Sequence, residues 1–163
     1  MAKLSSKQKE FLGSIIPAAN LNQEVHNIPA IVTVLQAILE SGWGDSALAK
    51  QAHNLFGIKA NKGWKGATLE LPGFEIVNGK RVNAKMLWRK YRTKGDSITD
   101  HAKFLVNNKR YKAAFNHTVD DWVTFLAEIH VAGYATDPEY VTKLVKLEKS
   151  YNLLDYINKR LGD

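Results

Sequence analysis

The sequence predicts an α+β fold, mainly α, in which a helical domain carries one β-hairpin lobe. Apolar residues recur at helical spacing in both halves of the chain, most completely over Ile31, Val34, Leu35, Ile38 and Leu39. That period disappears between Ile58 and Tyr91, where glycines at 63, 66, 73 and 79 separate short β-leaning runs. Inside this stretch Asn78 and Gly79 form a strong two-residue hairpin signal.

Each element has its own start or stop. Ser6 precedes Phe11, Leu12, Ile15 and Ile16, an amphipathic helix expected to end near Pro17. A second helix runs from Pro29, near its first turn, to Glu40, and Ser41, Gly42, Trp43 and Gly44 break it. Ser46 opens a short segment from Ala47 to Ala49. The hairpin is expected to join Phe74–Val77 to Arg81–Asn83, with Met86 to Tyr91 as a further extended stretch. Ser97 to Asp100 has the form of a capping box ahead of Ala102 and Leu105. Tyr111 to Phe115 adds a turn or two. Thr118 and Asp121 repeat the capping pattern before Trp122, Phe125, Leu126 and Ile129, with Gly133 as the stop. Asp137 and Pro138 then open a last helix through Tyr140, Leu144, Leu147 and Tyr151. With no internal repeat and no long linker, residues 1–163 read as one domain whose β-lobe spans about 58–91.

A chain of 163 residues, 45% of them hydrophobic, can bury a core without staples. The absence of cysteine excludes a disulfide framework, a thiolate metal site and a thiol nucleophile. The five histidines lack metal-ligand spacing and no serine sits in a nucleophile elbow, so neither a metal nor a cofactor is expected. The net charge of +7 favours an anionic partner, but the lysines and arginines are scattered and form no nucleic-acid motif. No apolar run is long enough to span a bilayer.

The sharpest chemical candidate is Glu40. The apolar stripe of its helix runs straight into it, so a carboxylate leaves a buried helix at the negative end of the macrodipole. Leu39 and Trp43 would strip water from it as well, and both effects raise its pKa toward the range of a general acid. Glycoside hydrolysis commonly pairs such an acid with a second carboxylate. Glu75, just before the hairpin turn, is the first candidate for that partner, and Glu70 is the alternative. Trp43, Phe56, Trp64, Trp88 and Tyr134 lie in or beside breaks of the periodic segments, where rings can form platforms for sugar faces.

Three segments together resemble one family. They are Gln36 to Gly44 around the Glu40-Ser41-Gly42 step, His53 to Lys59 with Asn54-Leu55-Phe56-Gly57, and Gly133 to Tyr140. They resemble the bacterial and phage endo-β-N-acetylglucosaminidases of glycoside hydrolase family 73, from about Phe11 to Leu147. Glu75 to Gly79 matches the family's Glu-x-x-Asn-Gly, and Trp88 to Tyr91 resembles its aromatic-Arg-x-Tyr. The resemblance implies a lysozyme-like fold with the hairpin over an active-site groove, Glu40 as general acid, Glu75 as second carboxylate and Tyr134 supporting the reacting sugar. The substrate-binding candidates are Trp43, Phe56, Trp64 and Asp137.

The expected reaction is cleavage of the β-1,4 bond after N-acetylglucosamine in peptidoglycan glycan strands. The rivals are a muramidase cutting the alternate bond, a non-catalytic wall-binding module and a basic nucleic-acid-binding domain. The expected partners are the glycan and the anionic cell envelope, with no nucleic acid, no membrane insertion and a monomeric state. The start of the chain has no signal-peptide pattern, which suggests a phage-type lysin or a domain excised from a larger secreted autolysin.

Overall fold

The computed structural model describes residues 1–161. Helix α1 (Ser6–His26) begins at a full capping box, with Ser5 accepting from the Gln8 backbone and the Gln8 side chain accepting from the Ser5 N–H. It runs through Pro17, where the sequence suggests an end. A proline inside a helix forfeits a backbone hydrogen bond, yet the apolar face continues past it. Phe11, Leu12, Ile15, Ile16 and Ala19 are all buried, and the Asn22 amide donates to the Ile98 carbonyl. That tertiary burial outweighs the local penalty.

Helix α2 (Ala30–Ser41) is the central element, and every residue from Ala30 to Ile38 is buried. Helix α3 (Ala47–Ala52) is capped by the Ser46 hydroxyl. Strands β1 (Thr68–Val77) and β2 (Lys80–Arg89) form one antiparallel hairpin, in register from Thr68 opposite Arg89 to Val77 opposite Lys80. The strands are continuous and longer than the sequence suggests. Asn78 and Gly79 both have positive φ, 51° and 76°, the conformation of a type I′ turn.

Backbone bonds fix the base of the hairpin: Arg89 N–H donates to the Ile58 carbonyl and Ala60 N–H to that of Leu87. The Asn54 amide ties the two segments together by donating to the carbonyls of both Ile58 and Arg89. Toward the tip, Phe74, Ile76, Val77 and Val82 are exposed, so the hairpin projects from the body.

Helix α4 (Lys94–Asn107) is capped by Thr93, four residues before the expected Ser97. Ser97 is instead buried, and its hydroxyl accepts from the Leu55 N–H. A 3-10 helix (Lys109–Asn116) leads to α5 (Trp122–Val131) and α6 (Tyr140–Tyr151). Asp137 is not the N-cap the sequence suggests: α6 begins at Tyr140, two residues later than expected, with Glu139 as its cap residue, and Asp137 accepts from the Glu139 N–H just ahead of the helix. Asn152, in the left-handed region, turns the chain into α7 (Leu153–Leu161), which sequence reading did not separate. Leu153 and Ile157 of α7 complete the core.

None of these helices is long and apolar enough to cross a membrane. The architecture is the helical body with a β-hairpin lobe that the sequence predicts.

Candidate active site

Helix α2 delivers Glu40. Its apolar face stays buried through Ile38, then Leu39 and Glu40 emerge at the last turn. Gly42 ends the helix at φ 57°, where its N–H still reaches the Ile38 carbonyl. Trp43 then turns away: its ring meets Phe11 and Tyr151 edge-on, with centroids 6.3 and 5.3 Å apart. Trp43 thus lies outside the cavities that Glu40 lines. The groups that crowd Glu40 are tyrosines from other elements.

Glu40 opens onto a cavity of about 370 Å³ walled by Phe56, the Gly57–Lys59 segment, His101, Phe104 and Tyr134. A second cavity of about 510 Å³ shares Glu40 and Tyr134 with it and extends past Thr136, Asp137 and Tyr140. A third, of about 820 Å³, shares Asn61, Arg89 and Phe104 with the first and runs along Trp64, Lys103, Asn107 and Lys109. Together they form a groove with Glu40 near its middle.

Loss of water raises the Glu40 pKa, partly offset by a hydrogen bond from Tyr140 that favours the anion. The residue itself reaches solvent, so the desolvation comes from groove walls around the carboxyl rather than from enclosure in the core. Tyr140, the first residue of α6, is 3% exposed, and its hydroxyl accepts from the Gln36 amide at 3.1 Å. Burial and the nearby Glu40 charge hold the Tyr140 hydroxyl protonated.

Tyr134 follows the α5 stop at Gly133. Its hydroxyl lies 2.8 Å from His101 Nε2, and burial, reinforced by Tyr140 and Glu40, raises its pKa far above the usual phenol value. His101 is 1% exposed and stacks on Phe56 with centroids 3.8 Å apart. Burial pushes its imidazole down to about 3, so it stays neutral across the physiological range. A neutral ring can share one hydrogen bond with Tyr134 while bringing no charge beside Glu40. The Tyr134 ring is further held by Tyr111 and Tyr140, at 6.0 and 5.9 Å.

The other expected residues fall in different places. Phe56 is 7% exposed and forms the cavity wall behind His101. Trp64 lines the largest cavity; its indole N–H donates to the Ala67 carbonyl and the Arg89 guanidinium lies 4.7 Å from its ring. Asp137 lines the cavity on the other side of Glu40, paired with Lys143. Glu75 is exposed on the hairpin opposite Val82 and lines none of the three cavities. Glu70 pairs with Lys85 at 3.6 Å on the same lobe.

Three contributors were not singled out from sequence: His101, Tyr140 with Gln36, and the Arg89–Asp100 pair. The pair closes at 2.8 Å, and Tyr91 donates to the same Asp100 oxygen at 2.6 Å, which pins the hairpin base to α4. The available signal for His101 was its place on the buried face of α4, beside Ile98, Ala102 and Leu105. A titratable residue among apolar ones has to find a partner.

Residues 16–153 match the family model for mannosyl-glycoprotein endo-β-N-acetylglucosaminidase, called Glucosaminidase. The chain is similar to the exo-glucosaminidase LytG of Bacillus subtilis, 35% identical over 92% of this chain and 54% of LytG. It is also 35% identical to the peptidoglycan hydrolase FlgJ of Pseudomonas aeruginosa, over 86% of this chain and 36% of FlgJ. It therefore spans about half, or less, of the length of these relatives. Among solved structures, the catalytic domain of the autolysin Auto from Listeria monocytogenes superposes with a TM-score of 0.78 at 32% identity, covering 96% of this chain and 90% of that one. The glycoside hydrolase domain of Salmonella typhimurium FlgJ gives 0.72 at 28% identity, over 95% and 92%.

Proposed function

This chain belongs to the glucosaminidase family, and from that premise we propose that it is a glycoside hydrolase that cuts peptidoglycan at the β-1,4 bond after N-acetylglucosamine. The observation that carries the reading is the junction of Glu40 with Tyr134 and Tyr140 in the middle of an open groove. The support for a peptidoglycan substrate is the similarity to the FlgJ peptidoglycan hydrolases, together with cavities that extend to both sides of Glu40.

In this reading protonated Glu40 gives its proton to the bridging oxygen as the bond to the anomeric carbon breaks and positive charge develops there. The carbonyl oxygen of the substrate's own 2-acetamido group attacks that carbon, forming a cyclic intermediate. Tyr134 steadies the acetamido group, and His101, a positioning residue, holds the Tyr134 hydroxyl. Water then adds at the anomeric carbon while Glu40 takes back a proton, leaving N-acetylglucosamine at the new reducing end with retained configuration. The acetamido route is preferred here because Tyr134 shares two cavities with Glu40 and Glu75 lines neither.

Mass spectrometry of borohydride-reduced fragments from digested sacculi tests the bond. Reduced N-acetylglucosamine at the new end is expected, and reduced N-acetylmuramic acid would make the chain a muramidase. Nuclear magnetic resonance of the fresh product's anomer tests the route. A β product is expected, whereas an α product would transfer the second step to Glu75 acting on water from the opposite face. The place of action follows from the substrate: the cell wall, reached as a phage-type lysin or as part of a larger secreted autolysin.

A further inference from the structure

We propose that the groove arm running from Asn61 to Lys109 is a recognition site for carboxylate groups on the substrate, with Lys103 and Lys109 as its cations. This deepens the peptidoglycan reading and rests on it.

The arm is the largest of the three cavities, about 820 Å³. One face of α4 supplies its wall, with Asp100, Lys103, Phe104 and Asn107 at i, i+3, i+4 and i+7. Its charges are unequal. Arg89 and Asp100 satisfy each other at 2.8 Å, and Tyr91 takes up the same Asp100 oxygen. Lys103 and Lys109 form no ion pair among the described residues. The remaining polar lining is neutral amide, from Asn61, Asn107 and Asn108. No acid is left in the arm to balance the two ammonium groups.

The opposite arm differs. Its one lysine, Lys143, is already paired with Asp137. Positive potential is therefore concentrated on one side of Glu40, in a cleft whose walls focus it. A strand of N-acetylglucosamine alone carries no charge for such a site. A peptidoglycan strand does, because every second sugar bears a lactyl ether that ends in a carboxylate or extends into a peptide with carboxylates of its own. The proposal seats one of these carboxylate-bearing sugars in the Lys103 and Lys109 arm.

The test is calorimetric titration of the Glu40→Gln protein, in which the sugars stay uncut. The ligands are a peptide-free glycan hexasaccharide, its carboxyl methyl ester, a peptide-bearing hexasaccharide and neutral chitohexaose. The free acid should bind roughly tenfold more tightly than its ester at about 50 mM salt, and the difference should shrink as salt screens it. Lys103→Gln with Lys109→Gln should abolish the preference. Lys3→Gln with Lys9→Gln removes equal charge from exposed positions outside the groove and should preserve it.

A preference shown by the peptide-free acid assigns the lactyl carboxylate, and one confined to the peptide-bearing sugar assigns the peptide. Equal binding of acid, ester and peptide-bearing sugar overturns the carboxylate site and leaves the peptidoglycan reading standing. A preference that survives in the Lys103 and Lys109 variant, or is lost equally in the control, also overturns it. Binding of chitohexaose without any peptidoglycan sugar removes both.

Discussion

Glu40 and Glu75 both lie in segments that resemble the same family, yet their surroundings differ in kind. Glu40 stands where a helix buried from Ala30 to Ile38 meets a groove, with Tyr134 from the loop after α5 and Tyr140 of α6 beside it and its proton affinity raised. Glu75 stands on an exposed two-stranded lobe, with Val82 opposite and solvent around it. The difference teaches that a carboxylate's chemistry depends on the elements that converge on it. Segments distant in sequence meet around Glu40, from the Phe56–Lys59 stretch, α4 and the Tyr134–Tyr140 stretch. The hairpin supplies Glu75 with only its own partner strand.

The helical body and the hairpin should therefore respond differently to substitution. Glu40→Gln keeps the shape of the groove but removes the proposed proton donor, and kcat/KM on sacculi should fall by about 10²- to 10⁴-fold, read as new reducing ends. Tyr134→Phe keeps the ring packed on Tyr111 and Tyr140 and removes only the hydroxyl. It should lower kcat by roughly 10²-fold with a smaller change in KM, because the lost contact acts mainly in the transition state.

Stability should divide along the same line. Leu35, fully buried in α2, should cost about 2–5 kcal/mol when changed to Ala, measured by urea unfolding. Ile76, 64% exposed on the hairpin, should change stability by no more than about 0.5 kcal/mol. The smallest expected effect is that of Glu75→Gln, less than roughly threefold in kcat/KM if the acetamido group performs the second step. A loss as large as that of Glu40→Gln would erase the contrast and make the hairpin part of the catalytic machinery.

Much of this was legible in the sequence. The apolar stripe of α2, its break at Gly42 and the Asn78-Gly79 turn are short-range signals, and the structure carries each of them. Glu40 was legible because its helix and its stop are contiguous. Less could be read wherever tertiary contacts decide. The reach of α1 past Pro17 depends on burial against α2 and α4. The cap of α4 falls on Thr93 because Ser97 is drawn inward to serve the Leu55 N–H.

Trp43 reads as a water-excluding neighbour of Glu40 because it is three residues away, yet the positive φ at Gly42 and Trp43 swings its ring toward Phe11 and Tyr151. Tyr140 lies a hundred residues from Glu40 in sequence and beside it in space. No local pattern announces such a pairing. His101 is similar: its partner, Tyr134, is 33 residues on.

The central claim is that Glu40, with a pKa raised by the groove, is the acid whose proton reaches the glycosidic oxygen. A general acid works only while protonated, so kcat/KM should fall as pH rises through that pKa in the free enzyme. The most direct measurement sets the carbon-13 titration of the Glu40 carboxyl in the substrate-free protein beside the alkaline limb of kcat/KM. The account predicts that the two midpoints coincide, above the roughly 4.3 of an unperturbed glutamate. A Glu40 that titrates at that ordinary value, while activity persists to a clearly higher pH, would contradict it.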